Sequence, residues 1–305
     1  MKKNKQYIAC WWSGGVTSAV AVKKTIELYG KENCRILFID TKNEHDDTYR
    51  FLIDCEKWYG MPIETITGLG QKYKSIADIW REKKTLNSAT GAICSSELKR
   101  KVREKYQKQN PEFIYNVFGY DLDEAKRAKG MTMNNPKVKA IYPLMMFGLF
   151  KKDCIKIIEE SGIKIPIGYY MGFLNNNCLK TGCVQGGIGY WQKWERDDIE
   201  LFNRMADLEH ELTDLRGFPV TMLKDQSNES KEKLKIDKKD KSVLVFLKPH
   251  PKYSNKSLID MPQQKVEPLI DCNGYCGTYD LEPKMKEFAQ QINFQIEEDV
   301  QVPLL

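Results

Sequence analysis

The chain has 305 residues, enough for one large domain or a main domain with an appendage. Its 41% hydrophobic content is ordinary for a globular protein, and no apolar run reaches the roughly 18 residues that a membrane-spanning helix needs. The net charge of +6 is mild; it suits an anionic ligand such as a nucleotide without demanding nucleic acid.

The predicted elements alternate strand and helix through the first half. Residues 6–12 form an apolar run, and the Ser13-Gly14-Gly15-Val16-Thr17-Ser18 turn follows it. A helical pattern then runs over residues 16–29. The basic N-terminus precedes only a short apolar stretch that enters this turn. That argues against a signal peptide and for a cytoplasmic protein. Further strands are expected at residues 35–40, 63–67, 113–119 and 138–142, with helices at 46–59, 73–82, 95–108 and 121–128 between them. Most of these strands are short and largely apolar, as strands covered on both faces are. The expectation is a doubly wound α/β domain, with a mainly parallel five-stranded sheet and its ligand crevice at the carboxyl ends of the strands.

A helix at 151–161 follows, then a Gly/Asn/Cys-rich loop over 163–189 and one long amphipathic helix over 190–215. The Lys-rich part from Lys224 to Lys256 also carries acidic residues and reads as a solvated loop rather than a nucleic-acid patch, and its 224–241 stretch, poor in apolar side chains, reads as mobile. A strand at 242–247 and a short helix at 283–291 complete the pattern. The expected division is a nucleotide-binding domain over 1–173 and a Cys-containing α+β extension over 174–305.

The chemistry begins at the 13–18 turn. Gly14 and Gly15 let the backbone turn tightly and approach a ligand, while Ser13, Thr17 and Ser18 add hydroxyls. A helix start adds N–H groups and a positive dipole end. The arrangement reads as a cradle for a phosphate or pyrophosphate group, or else as an ordinary strand-to-helix turn. It lacks the longer loop and the Lys of the common P-loop.

Asp40 closes the second strand, where a carboxylate can accept a ribose hydroxyl, hold a metal ion against phosphates, or simply form a turn. His45, in the helix-start loop after it, reads as a polar surface group. Cys94 stands before the basic stretch Lys99-Arg100-Lys101. There a thiol is a better nucleophile or ligand, or an inert group before a solvated helix. Gly119 ends the fourth strand. Glu124 and Arg127 are three apart, placed to form an ion pair or to put Arg127 against a phosphate.

Of nine cysteines, Cys10, Cys34, Cys55 and Cys154 fall in apolar-periodic segments and read as core. Cys178 with Cys183, and Cys272 with Cys276, form two close pairs in turns. Two such pairs match a four-thiolate zinc or iron–sulfur site; reduced thiols and redox-active thiols are the alternatives.

Taken in order, these motifs resemble the PP-loop ATP pyrophosphatase and phosphoadenosine phosphosulfate (PAPS) reductase superfamily, of the adenine nucleotide alpha hydrolase type. The 13–18 turn resembles its SGGxxS loop, and Asp40-Thr41 its DTG-type segment. The stretch from Cys94 to Lys99 resembles C-[CST]-x-x-x-K, and Gly119 to Ala128 resembles G-x-x-x-x-E-x-x-R-A. Tyr142-Pro143-Leu144 and the run from Tyr169 to Gly172 resemble the later PL and Y-x-x-G elements. The 177–191 stretch is similar to phage- and bacteria-associated PAPS-reductase-like proteins. The resemblance spans residues 7–195 and stops there.

The resemblance implies ATP or a PAPS-like adenine nucleotide as ligand, with Mg²⁺, and an iron–sulfur cluster or Zn²⁺ on the cysteines. The nucleotide-binding residues it implies are Ser13, Gly14, Gly15, Val16, Thr17, Ser18, Asp40, Thr41, Gly119 and Glu124; the catalytic ones are Asp40, Cys94, Lys99 and Arg127. Two departures matter. Cys94 is followed by Ser95, where cluster-bearing members have Cys-Cys, which puts a cluster role for Cys94 in doubt. After Cys276 come Gly277-Thr278-Tyr279 in place of the reductases' ECGLH-like segment. The implied activity is therefore adenylation with pyrophosphate release, linked to sulfur transfer or nucleic-acid modification. A phosphosulfate reductase and a non-catalytic nucleotide sensor are the alternatives. Expected partners are a nucleic-acid substrate or a partner protein, in a homo-oligomer or as a subunit of a complex.

Overall fold

The structure, a computed structural model, describes residues 7–70, 72–88, 91–176, 178–267 and 269. Five strands, β1 Tyr7–Trp12, β2 Cys34–Ile39, β3 Ile63–Ile66, β4 Phe113–Val117 and β5 Lys139–Ile141, form one parallel sheet in the order β3-β2-β1-β4-β5. The order reverses at β1. The crevice that such a reversal opens therefore lies at the carboxyl end of β1, where the 13–18 turn begins.

Alternation along β1 explains why both faces are covered. Trp11 and Trp12 point to opposite sides, as adjacent strand residues must. Trp12 packs on Phe38 and Phe51 at centroid distances of 5.2 and 5.8 Å. Trp11 meets Tyr106 at 6.3 Å and donates its indole N–H to Asn116 Oδ1 at 2.8 Å. Helices α1 Val16–Tyr29 and α2 Asp46–Tyr59 lie on the Trp12 side, tied together by the Tyr59 hydroxyl donating to Ala19 O at 2.9 Å. Cys10, Cys34, Cys55 and Cys154 are fully buried in this core, as their apolar periodicity predicts.

A second core forms around the helices α7 Ile188–Asp197 and α8 Ile199–Arg216. It draws in residues 173–269 but also Ile76, Ile79 and Trp80 of α3 Ile76–Lys83, together with Leu86, Ala92 and Leu98. A boundary at residue 173 therefore separates the two cores only in part. The first half also contributes α4 Lys101–Gln109, α5 Ala125–Asn134 and α6 Lys151–Glu160.

Three sequence expectations need correction. The helix expected over 190–215 breaks at Asp198, whose carboxylate caps α8 by accepting the Leu201 N–H at 2.9 Å. The loop expected over 224–241 contains a helix, α9 Asn228–Ile236, capped by Ser227. Its support is ionic: Lys233 pairs with Glu229 at 2.8 Å and Lys235 with Glu232 at 2.6 Å. The strand expected at 242–247 is reduced to Leu244–Val245, antiparallel to Leu223–Lys224. The helix expected at 283–291 lies outside the described residues. Among the described residues, no helix is long and apolar enough to cross a membrane.

Candidate functional site

The 13–18 turn sits at the mouth of the β1–β4 crevice. Gly14 has φ +84, and a Cβ there would stand 2.8 Å from Thr48 Cγ2 of α2, so glycine is required both by conformation and by space. The Ser18 hydroxyl braces the turn: it accepts the Ser13 N–H at 3.0 Å and donates to Gly15 O at 2.9 Å. The first backbone bond of α1 runs from Ala19 N–H to Gly15 O at 3.1 Å. The N–H groups of Gly15, Val16, Thr17 and Ser18 therefore precede the helical ladder. Among the described residues only that of Val16 meets an acceptor, the Tyr169 hydroxyl at 3.2 Å. Amides without an acceptor at a helix N-terminus, with the positive end of the helix dipole, are the general setting of anion binding.

Gly119 props this turn from the neighbouring strand. A Cβ on it would lie 2.6 Å from Ser18 N and Cα, so its close approach is to the protein's own backbone. Glu124 and Arg127 form the anticipated ion pair at 2.6 Å, with both side chains largely buried. The Arg127 guanidinium also stacks over the Tyr120 ring at 4.7 Å.

The turn after β2 is tightly built. Asp40 is 1% exposed. Its Oδ1 accepts the Lys42 N–H at 2.7 Å and the Tyr49 hydroxyl at 3.0 Å, and its Oδ2 pairs with Lys42 Nζ at 2.6 Å. Burial pushes the carboxyl's pKa up, but Lys42 and Tyr49 outweigh it and hold Asp40 below the usual carboxylate range. Lys42 has φ +59. A backbone in this left-handed region favours glycine, and this chain places a lysine there.

Glu44 is buried beside Asp40. It accepts the Thr41 hydroxyl at 2.9 Å and the Asn43 N–H at 3.1 Å. Burial pushes its carboxyl above the ordinary range, against the pull of Lys99 and with Asp40's charge adding to the rise. His45 is structural: its Nδ1 caps α2 by accepting the Asp47 N–H at 3.0 Å.

Thr41 and Asn43 of this turn also wall a narrow cavity of about 20 Å³, together with Cys94, Lys99, Cys178 and Cys183. Cys94 and Lys99 are five positions apart, a spacing that an α-helix would turn to different sides. The π-helical turn Ser96–Arg100 widens the helix there, and both residues line the cavity. The segment bearing Cys178 and Cys183 is pinned to the β2 turn: Lys180 N–H donates to Asn43 O at 3.3 Å, and Asn43 Nδ2 to Thr181 Oγ1 at 2.7 Å. Lys99 thus lines the same cavity as the thiols. Cys94, doubted as a partner of the other cysteines, shares their cavity.

Cys272 and Cys276, the other half of the anticipated four-thiolate set, lie outside the described residues. Among the described residues, no three His, Cys, Asp or Glu side chains stand together in a metal-holding group.

Sequence reasoning missed Asn176, and Tyr169 figured only as part of a weak motif. Asn176 Nδ2 donates to Gly14 O at 2.9 Å and to Thr48 Oγ1 at 3.0 Å. These contacts cross 162 and 128 positions, and Val16 reaches Tyr169 across 153; no local pattern announces them.

Residues 7–111 match the family described as the phosphoadenosine phosphosulfate reductase domain. No curated protein matches the chain. Among solved structures, it is similar to phosphoadenylyl-sulfate (PAPS) reductase from Candida auris in its phosphate complex. That match has 14% identity and a TM-score of 0.42, and covers 58% of this chain and 83% of that one. It is also similar to the U34-tRNA thiolase NcsA from Methanococcus maripaludis with its 4Fe-4S cluster. Here the identity is 17% and the TM-score 0.37, with 69% of this chain and 72% of that one covered. Superpositions this loose place no residue and no ligand. The 7–111 match to the phosphoadenosine phosphosulfate reductase domain carries both the glycine turn after β1 and the Asp40–Thr41 turn after β2.

Proposed function

We propose that this protein is a PP-loop enzyme that adenylates a substrate and hands the activated product to a sulfur nucleophile. The observation that carries the reading is the row of backbone amides at Gly15, Thr17 and Ser18, which meet no acceptor among the described residues at the start of α1, after a glycine turn. In this reading the row holds the β- and γ-phosphates of ATP. A substrate oxygen attacks the α-phosphorus, the bond to the β-phosphate oxygen breaks, and pyrophosphate leaves from the cradle. A sulfur nucleophile then displaces AMP from the adenylated substrate.

Asp40 and Glu44 are the carboxylates that the β2 turn supplies. Asp40 is already engaged by Lys42 and Tyr49, so it would hold Mg²⁺ only on leaving Lys42. The thiols of Cys94, Cys178 and Cys183 suit zinc or an iron–sulfur cluster by chemistry, and such a group would supply thiolate-bound metal at the end of the cavity. The described residues present no assembled ligand set, and no step here passes through a metal.

The test is pyrophosphate release from ATP, alone and with candidate acceptors. Wild-type protein should release pyrophosphate and AMP, and Ser13→Ala and Gly14→Val should suppress both. Tight ATP binding without turnover, across the acceptors, would instead favour a nucleotide sensor. Turnover of a phosphosulfate nucleotide but not of ATP would favour a reductase.

A further inference from the structure

We propose that the turn Pro249-His250-Pro251 is an acid-released latch. It holds residues 247–253 against α8 while the His250 imidazole is neutral, and frees them when the ring takes a second proton. The proposal is independent of how the 13–18 turn is read.

The sequence of the turn makes the imidazole its closing group. Pro249 and Pro251 carry no N–H, so the backbone has few donors with which to close the turn. The His250 ring takes that place: its Nδ1 accepts the Lys252 N–H at 3.1 Å. The two prolines are exposed, and the histidine between them is only 5% exposed. Its ring stacks on Phe246 at 5.2 Å, meets the His210 ring nearly at right angles at 4.5 Å and lies 5.1 Å from that of Tyr253.

Consecutive residues of α8 grip the same stretch of chain. Glu209 Oε2 accepts the Leu247 N–H at 2.7 Å, and His210 Nε2 donates to Lys248 O at 3.2 Å. One helical turn on, Asp214 pairs with Lys252 Nζ at 2.7 Å. Both of those side chains are exposed, so this pair contributes little.

The contacts of His250 suit only the neutral ring. Accepting at Nδ1 places the proton on Nε2, and Nε2 meets no partner among the described residues. A second proton would fall on Nδ1, facing the Lys252 donor, and would leave a buried cation with neither nitrogen bonded. The titratable and charged groups around the ring are His210 and Asp214 of α8 and Lys252 and Tyr253 of the turn. Burial holds the imidazole below its ordinary pKa; His210 and Lys252 add to the fall, and Asp214 opposes it. The closed form therefore binds the proton less readily than the open one. Its advantage is whole above the ordinary histidine pKa of about 6.5, and is lost as pH falls below it by up to about tenfold per pH unit.

The experiment is hydrogen–deuterium exchange of the full chain near pH 7.5 and near pH 5, read by mass spectrometry and corrected for intrinsic amide rates. Wild-type peptides spanning 247–253 should lose protection by about tenfold or more at the lower pH, while peptides of β1 keep theirs. His250→Asn offers the Lys252 N–H an amide oxygen that does not titrate, and should keep the segment protected at both. Equal wild-type protection at the two pH values overturns the proposal. So does a His250→Asn protein that opens in acid as the wild type does, and so does a loss of protection that spreads through β1, which is acid unfolding of the whole chain. Proton NMR of the wild-type imidazoles tests the same point without a variant: His250 should titrate below the ordinary histidine value, and titration at that value overturns the latch.

Discussion

Gly119 and Ser18 touch backbone to backbone: a carbon added to Gly119 would stand 2.6 Å from Ser18 N and Cα and 2.9 Å from Thr17 C. The end of β4 is therefore the floor on which the first turn of α1 rests. Gly119→Ala should push that turn out of line. Overpacking of this kind costs about 1–3 kcal/mol. The loss of pyrophosphate affinity should exceed what the drop in melting temperature alone would suggest, because the displaced atoms carry the cradle amides. Gly187→Ala, where nothing lies within 4 Å of the added carbon, is the control. Equal effects of the two substitutions on affinity would remove Gly119 from the site.

Glu209 gives the second core a pH dependence. Its carboxylate is fully buried and accepts the Met222 and Leu247 N–H groups at 2.6 and 2.7 Å, one on each side of the small two-stranded ribbon. Burial pushes its pKa up to about 8, against those two donors. The folded value lies above the unfolded one, about 4.3. Its contribution is thus whole below that value and is lost as pH rises through about 8. The urea midpoint of wild-type protein should fall over that window, and Glu209→Gln should flatten the fall. Glu209→Ala leaves two buried donors without their acceptor, at about 1–3 kcal/mol each, and should be less stable at every pH. An undiminished slope in the Gln variant would assign the pH dependence elsewhere.

The legible parts of this chain were those whose cause is local. Each parallel strand is a short, largely apolar run, and all five emerge within one or two residues of their sequence-derived limits. The tight turn after β1 announces itself through Gly14 and Gly15. Asp198 was not legible, because the apolar periodicity continues through it and only its capping bond to Leu201 ends one helix and starts the next. The 228–236 helix was missed because charge pairing, not an apolar stripe, carries it. Tyr169 and Asn176 join the cradle through contacts that span half the chain. The meeting of Cys94 with Cys178 and Cys183 depends on a π-turn and on the Asn43–Thr181 tie, neither of which has a sequence signature.

Lys42 holds a left-handed backbone at φ +59, where a side chain is strained. Its ammonium also pairs with Asp40. Comparing two substitutions separates these effects, since Lys42→Gly and Lys42→Ala both remove the ion pair and only glycine removes the strain. The glycine variant should be more stable than the alanine variant by about 1 kcal/mol in denaturant unfolding. Equal midpoints would show that the turn relaxes around alanine without cost.

The thiol cavity makes a prediction about reactivity. Cys94 and Cys178 are half-buried, whereas Cys10, Cys34, Cys55 and Cys154 are fully buried, so brief iodoacetamide treatment should label the first two well before the other four. Lys99 lines the same cavity. A cation beside a thiol favours the thiolate, which is the form that reacts. Lys99→Met should therefore slow labelling of Cys94 several-fold at neutral pH, and the difference should shrink as the pH rises and the thiol ionises without help. Mass spectrometry of the labelled peptides reads both effects. A Lys99→Met protein whose Cys94 labels at the wild-type rate across that range would show that the ammonium does not act on this sulfur, and would confine Lys99 to its influence on Glu44.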